Sequence, residues 1–216
     1  MNEGLTTDHQ ILTKSGWKYF EHIDITKDEL YCFEYNIYDD ECDPLDYFSF
    51  GNKLIHYIKP LKKNYEQNYK GKLYQIKNDK IDIKMTHNYN MPIIFEHNND
   101  RYSNYKDVTN FEDIYKIIFK ENKYKDSDSD RDKILFLTEN NKDEEKNKNK
   151  DKYSHIFYYV NYIKLEDMTQ INGDGKNKDN TSIFSFTLPI PQNSNKKIIH
   201  SSYRIYVRRN NKEFWV

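Results

Sequence analysis

The chain of 216 residues contains no alanine, two cysteines, six glycines and five prolines, and no apolar run approaching membrane length. Each scarcity removes a class of reading. The missing alanine, beside abundant Lys, Asn, Tyr and Ile, reflects the coding bias of an AT-rich genome and carries no chemistry. Cys32 and Cys42 are too few for a disulfide framework, and their spacing matches no zinc pattern with neighbouring histidines, so ordinary packing or surface thiols are expected. With no secretory leader and no membrane-length segment, the expected setting is intracellular and reducing, not secreted and not membrane-bound. A net charge of -1, with acids and bases interspersed, supplies no field to attract nucleic acid or an anionic membrane. No nucleic-acid partner, cofactor or metal is indicated; a protein partner is left open.

Aromatic residues supply the apolar material instead. The hydrophobic total of 36% leans on 20 Tyr and 12 Phe, which fit a pleated, half-buried surface better than a helix face. The expected class is therefore all-β. The length suits one domain, or one domain carrying a large insertion.

From Ile11 to Phe50 short apolar patches alternate with turn signals. Lys14-Ser15-Gly16 reads as a turn leading into a strand at Trp17, Tyr19 and Phe20. Ile23 and Ile25, then Thr26 to Glu29, then Leu30 to Phe33 read as strand, turn and strand. Leu54 to Ile58 is apolar enough for another strand. The clearest alternation runs from Gly71 to Met85, with Leu73 and Gln75 opposing Tyr74 and Ile76, and Ile81 and Ile83 opposing Asp82 and Lys84. Lys77 to Lys80 supplies the turn of that hairpin.

Beyond Glu96 the character changes. Phe111, Ile114, Tyr115, Ile118 and Phe119 fall at helical spacing behind Asn110, a suitable N-cap. Residues 125–132 and 139–152 are charged and nearly free of apolar side chains, which predicts disordered loops around one strand at Ile134 to Leu137. Strands resume at His155 to Val160, Ile163 to Leu165 and Ile183 to Leu188. A last hairpin, from Ile205 onward, turns at Asn210-Asn211, where asparagine tolerates the positive φ of a two-residue turn. The expected organisation is 1–95 as one half of a domain, 96–153 as a charged insertion with one helix and low-complexity loops, and 154–216 as the other half.

Three segments carry a family pattern: Leu5-Thr-Thr-Asp-His-Gln-Ile-Leu-Thr-Lys-Ser-Gly-Trp17, Gly71 to Thr86, and Tyr203-Arg-Ile-Tyr-Val-Arg-Arg-Asn-Asn-Lys-Glu-Phe-Trp-Val216. Together they resemble the Hint domains of inteins and hedgehog autoprocessing proteins, in particular the branch found in phages and large DNA viruses. The likeness runs from Gly4 to about Pro92 and again from about Ser185 to Val216. It implies a mainly β Hint-like fold of short twisted hairpins and a self-processing chemistry: protein splicing or autoprocessing. For a viral protein, it implies a place in the host cytoplasm or the virion.

The same resemblance assigns roles position by position, and several positions depart. The first block of the family opens on cysteine or serine; here Gly4 stands there, with no hydroxyl or thiol to start an acyl shift. The second block carries a threonine and, three residues on, a histidine that polarise and protonate the departing amide. Thr86 matches the threonine. Tyr89 falls at the histidine, and its reference pKa near 10 makes it a slow proton shuttle. His87 lies two residues earlier, on the same face as Tyr89 if the strand period continues. The third block ends in an asparagine that cyclises and a residue that accepts the splice, whereas Val216 follows Trp215 here. The expectation is a catalytically inactive remnant with vestigial positions Gly4, Thr86, His87 and Tyr89. Two alternatives are a non-catalytic protein-binding or structural module, and residual self-cleavage at the N-terminal junction through Thr86 and His87.

Other constellations have plainer readings. The insertion is too short for a homing endonuclease and lacks its dodecapeptide and its His-Asn-His finger. Asp8, His9 and Ser15 could mimic a hydrolase arrangement, but a turn tied by Thr7 and Asp8 with His9 packed beside a strand is the simpler expectation. Arg208 and Arg209 beside Tyr206 and Trp215 could stack on single strands. Adjacent arginines face opposite sides of a strand, so a plain hairpin is expected.

Overall fold

A computed structural model describes residues 3–38, 55–91, 93–96, 109–110, 133–137, 158–161, 167–172, 182–192 and 198–216. Strands β1 (Leu5–Thr6), β2 (Gln10–Thr13) and β3 (Gly16–Tyr19) open the chain, followed by a 3-10 turn over Phe20–His22 and by β4 (Leu30–Tyr38). Next come β5 (Ile55–Ile58), β6 (Lys62–Glu66), β7 (Lys72–Lys77), β8 (Asp82–Thr86), β9 (Asn90–Met91), β10 (Ile93–Glu96) and β11 (Thr109–Asn110). The chain continues with β12 (Lys133–Leu137), β13 (Tyr158–Asn161), β14 (Met168–Asn172), β15 (Ile183–Thr187), β16 (Ile198–Arg209) and β17 (Lys212–Trp215). The class is all-β. No helix among the described residues is long and apolar enough to cross a membrane.

Two larger sheets build the body. The first runs β14-β7-β8-β1-β15-β6, and the second β17-β16-β2-β4-β5 with β3 paired to β2. Smaller sheets join β10-β12-β13 and β11-β9. Pairing is antiparallel throughout: Leu5 stands opposite Phe184 on one side and Met85 on the other. β16 holds the second sheet together, pairing with β4 along Ile198 to Ile205 and with β2 and β17 beyond.

The period of two in each strand sorts side chains between the sheets and the outside. Leu30 and Cys32, Ile205 and Val207, and Phe214 and Val216 point into a core shared with Leu5, Tyr74, Ile76, Ile83, Met85 and Phe184 of the first sheet. The intervening Tyr31, Phe33, Tyr206 and Trp215 form an aromatic layer of their own, with Tyr206 and Trp215 at 4.6 Å and Tyr31 and Trp215 at 5.5 Å between ring centroids. Trp17 extends that layer, 5.7 Å from Tyr206. Burying one such ring or aliphatic side chain contributes about 1.5–3 kcal/mol; contrary to the expectation from composition, the core between the sheets is mostly isoleucine, leucine and methionine, with rings among them.

Several local expectations hold. The β16–β17 hairpin turns at Asn210 and Asn211 with φ of 48° and 61°, a left-handed pair matching the primed two-residue turn. β2 and β3 close on Lys14-Ser15, and Gly16 takes φ of 107°. The β7–β8 hairpin forms, with its turn one residue further on: Lys77 pairs with Asp82, and the Asn78 carboxamide oxygen accepts the amides of Lys80 and Ile81. The strand at Ile134 to Leu137 is β12.

Others are corrected. Phe20 does not continue a strand; it starts the 3-10 turn and stacks on Phe184 at 4.7 Å. Ile23 and Ile25 are not a strand either. Asp24 organises that segment as an Asx turn, its carboxylate accepting the amide and hydroxyl of Thr26 while its carbonyl accepts the amides of Lys27 and Asp28. Asn110, the expected N-cap, ends β11 opposite Asn90, and the helix it would cap lies outside the described residues. The helix expected over 111–119, the loops at 125–132 and 139–152, the strand at 163–165 and Cys42 fall outside the described residues.

Candidate functional site

β1 lies between β8 and β15, and this placement decides the surroundings of Gly4. The Gly4 amide donates to Thr86 Oγ1 at 3.0 Å, and the Thr86 amide donates to the Gly4 carbonyl at 3.0 Å. Both residues are buried. The nitrogen so held is that of the Glu3–Gly4 peptide bond, so a hydroxyl rests on the amide that would depart if that bond were broken. The two segments that carry the sequence resemblance, around Leu5 and up to Thr86, therefore meet at Gly4 and Thr86.

Gly4 has no room for more than hydrogen. A Cβ built on it would overlap the Phe184 carbonyl oxygen and lie 3.0 Å from the carbonyl carbon and 3.2 Å from the Phe184 nitrogen. The obstruction is backbone of β15, so a rotamer change cannot relieve it.

Tyr89 follows β8 in a turn, its amide bonded to the Thr86 carbonyl at 3.2 Å, and its ring packs against the main core. Burial pushes its hydroxyl up to about 12; nearby Arg204 opposes the rise and Glu3 adds to it. Such a phenol keeps its proton at neutral pH and neither takes nor returns one readily. His87 also sits in that turn and not on a continuing strand, so the alternation that placed it on the face of Tyr89 does not apply. The His87 amide donates to the Lys72 carbonyl, and its Nδ1 is buried without a hydrogen-bond partner.

A second polar cluster stands beside this corner. Asp82 is 2% exposed, although the hairpin alternation set it opposite the apolar face, because the β16–β17 turn covers it. It accepts from the Arg209 guanidinium, from the Asn210 carboxamide at 2.6 Å and from Gln75 at 2.9 Å. Arg209 also reaches Asp8 at 2.8 Å, and Asp8 accepts the Thr6 hydroxyl at 2.5 Å. Burial alone would raise the Asp8 pKa, but His9, the Thr6 hydroxyl and Arg209 together hold it below the usual carboxylate value. His9 is fully buried: Nδ1 lies 2.8 Å from the Thr6 carbonyl, and Nε2 accepts the Lys84 amide at 3.3 Å.

This network answers two sequence readings. Ser15 bonds Thr13 at 3.1 Å, while both His9 nitrogens are engaged by backbone, so no Asp-His-Ser relay forms. Arg208 and Arg209 do face opposite ways. Arg208 lies over the Trp17 ring at 4.5 Å and bonds Gln10 at 2.6 Å, while Arg209 turns to the carboxylates. Both arginines are spent inside the fold. Nothing in the local sequence marks Asp82 as buried; the only cue was an acid in a strand close-packed with isoleucines. The Cys32 thiol is buried and its pKa raised by desolvation, which leaves it protonated and unreactive.

No family model matches the chain, and no curated protein matches it. Among solved structures the chain is similar to a splice-inactive variant of the AceL NrdHF class 3 split intein. The two share 16% sequence identity over 99% of this chain and 95% of that one, with a TM-score of 0.49.

Proposed function

We propose that this protein is a Hint-type, intein-like domain that keeps the self-processing scaffold and carries out neither splicing nor cleavage. One observation carries the reading: Thr86 Oγ1 rests on the Gly4 amide nitrogen, where an assisting hydroxyl belongs, while Gly4 offers no nucleophile and no space for one. Without a thiol or hydroxyl at that residue there is no acyl shift. Tyr89, its proton held by burial, takes the histidine's place without its chemistry. The third block supports the same scaffold, since Val207 and Arg208 pair with Ile11 and Gln10 of the first.

The test places the chain between two unrelated flanking proteins and weighs the products after long incubation with thiol. The expected result is one intact fusion. Ligated flanks, or a released N-terminal flank, would overturn the reading, and loss of that release in Thr86→Ala would assign residual cleavage to this corner.

A second reading, a protein-binding module, draws on exposed apolar side chains at and near β6: Leu61 at 64%, Tyr65 at 52% and Ile190 at 82% exposure. A stoichiometric partner captured by the chain and lost from Leu61→Ser with Ile190→Ser would support it. Capture unaffected by those changes would count against it.

A further inference from the structure

His9 lies outside the Gly4–Thr86 corner, and its bonding fixes its protonation by geometry alone. The Thr6 carbonyl can only accept, so Nδ1 carries the proton; the Lys84 amide can only donate, so Nε2 is bare. The ring, carried by the turn between β1 and β2, is thus the neutral Nδ1–H tautomer, bonded at one end to the last residue of β1 and at the other to β8. Charged groups face it from three elements: Asp8 in its own turn at 3.5 Å, Asp82 on β8 and Arg209 on β16. Phe214 of β17 turns to it in an edge arrangement at 6.3 Å. Arg209 already bridges both carboxylates, so a charge arriving on His9 finds them engaged.

We infer that His9 is a pH-sensitive latch: in its neutral form it fastens the turn after β1 to β8, and protonation at Nε2 releases that turn. A solvent proton taken up by Nε2 turns an acceptor into a donor. It then points at the Lys84 N–H, which is also a donor, and that bond is lost while Nδ1 still reaches Thr6. β1 is two residues long, so loosening its following turn also loosens the Gly4–Thr86 pair. Burial already lowers the His9 pKa to about 4, the cost of charging a ring packed in this way.

Nitrogen-detected NMR on the full chain tests this directly. The expected spectrum at pH 7 shows His9 as the Nδ1–H tautomer. An Nε2–H tautomer, or titration at an ordinary histidine value near 6.5, would overturn the latch. Amide-exchange protection, corrected for intrinsic rates, should fall at Lys84 and Thr86 by about 20-fold between pH 7 and pH 5. Amides at the β16–β4 pairing should keep theirs. A flat profile, or equal loss at all these sites, would overturn the proposal, the latter being global acid unfolding. His9→Gln, which has no proton to gain in this range, should show no pH response at Lys84; a response like the parent's would remove His9 as the cause.

Discussion

Two polar neighbourhoods flank β1, and they invite opposite conclusions from similar residues. Around Gly4 a threonine hydroxyl holds a peptide nitrogen, and the turn that follows that threonine carries a buried tyrosine and a histidine with one nitrogen left without a partner. Around His9 an aspartate pair, an arginine and a histidine form what could pass for acid-base machinery, yet each contact recorded there is spent on backbone or on another side chain of the network. The difference teaches that residue type is a poor guide to activity. A satisfied network holds shape, and chemistry needs a group with bonding capacity to spare next to a bond it can attack.

The comparison breaks most visibly at Asp82. Asp82→Ala strands Arg209, Asn210 and Gln75 around a buried void and should cost about 3–5 kcal/mol, read as a lower urea midpoint with β16–β17 amides exchanging faster. Acid should act next. Folded His9 gives up its proton near 4 and the unfolded ring near 6.5, so the unfolded chain binds more protons between those values. The contribution is therefore complete above about pH 6.5 and declines toward pH 4, by about 3 kcal/mol. Denaturation midpoints measured across that range in the parent and in His9→Gln should converge at the acid end.

The Gly4 side can be sharpened by refilling it. Gly4→Cys forces a side chain against the β15 backbone and should cost about 2 kcal/mol, with flanking fusions staying intact because the cysteine must displace β15 before it can point anywhere. Thiol-dependent cleavage by Gly4→Cys with Tyr89→His would instead mean that the backbone yields and only the two side chains were missing. The smallest effect concerns neither neighbourhood directly. Asn211→Gly relieves a left-handed side-chain residue and should add about 0.5 kcal/mol, visible as a slightly higher melting temperature.

Much of the architecture was legible because it is local. Alternation marked β7 and β8, and Asn210-Asn211 announced the turn between β16 and β17 through backbone chemistry that asparagine shares with glycine. Reading failed where a side chain acted on the backbone two or four residues away, as Asp24 does, since apolar content at Ile23 and Ile25 looked like a strand. It failed again at Asp82, whose burial is made by the β16–β17 turn more than a hundred residues on. The corner itself was half legible. The blocks named Gly4, Thr86 and Tyr89, but that Gly4 is closed off by Phe184 depends on a strand pairing that no local pattern carries.

β1 has neighbours at Met85 and Phe184, and its position carries a temporal consequence. During synthesis Leu5 and Thr6 are made long before Phe184, so one of their two partners does not exist until the chain has grown past β15. Until then the segment has a single edge to lean on. Pairings of such wide separation are slow to close, so β1 is expected to be the last of the described strands of the first sheet to settle, and to stay open to chaperones and proteases until β15 has been made.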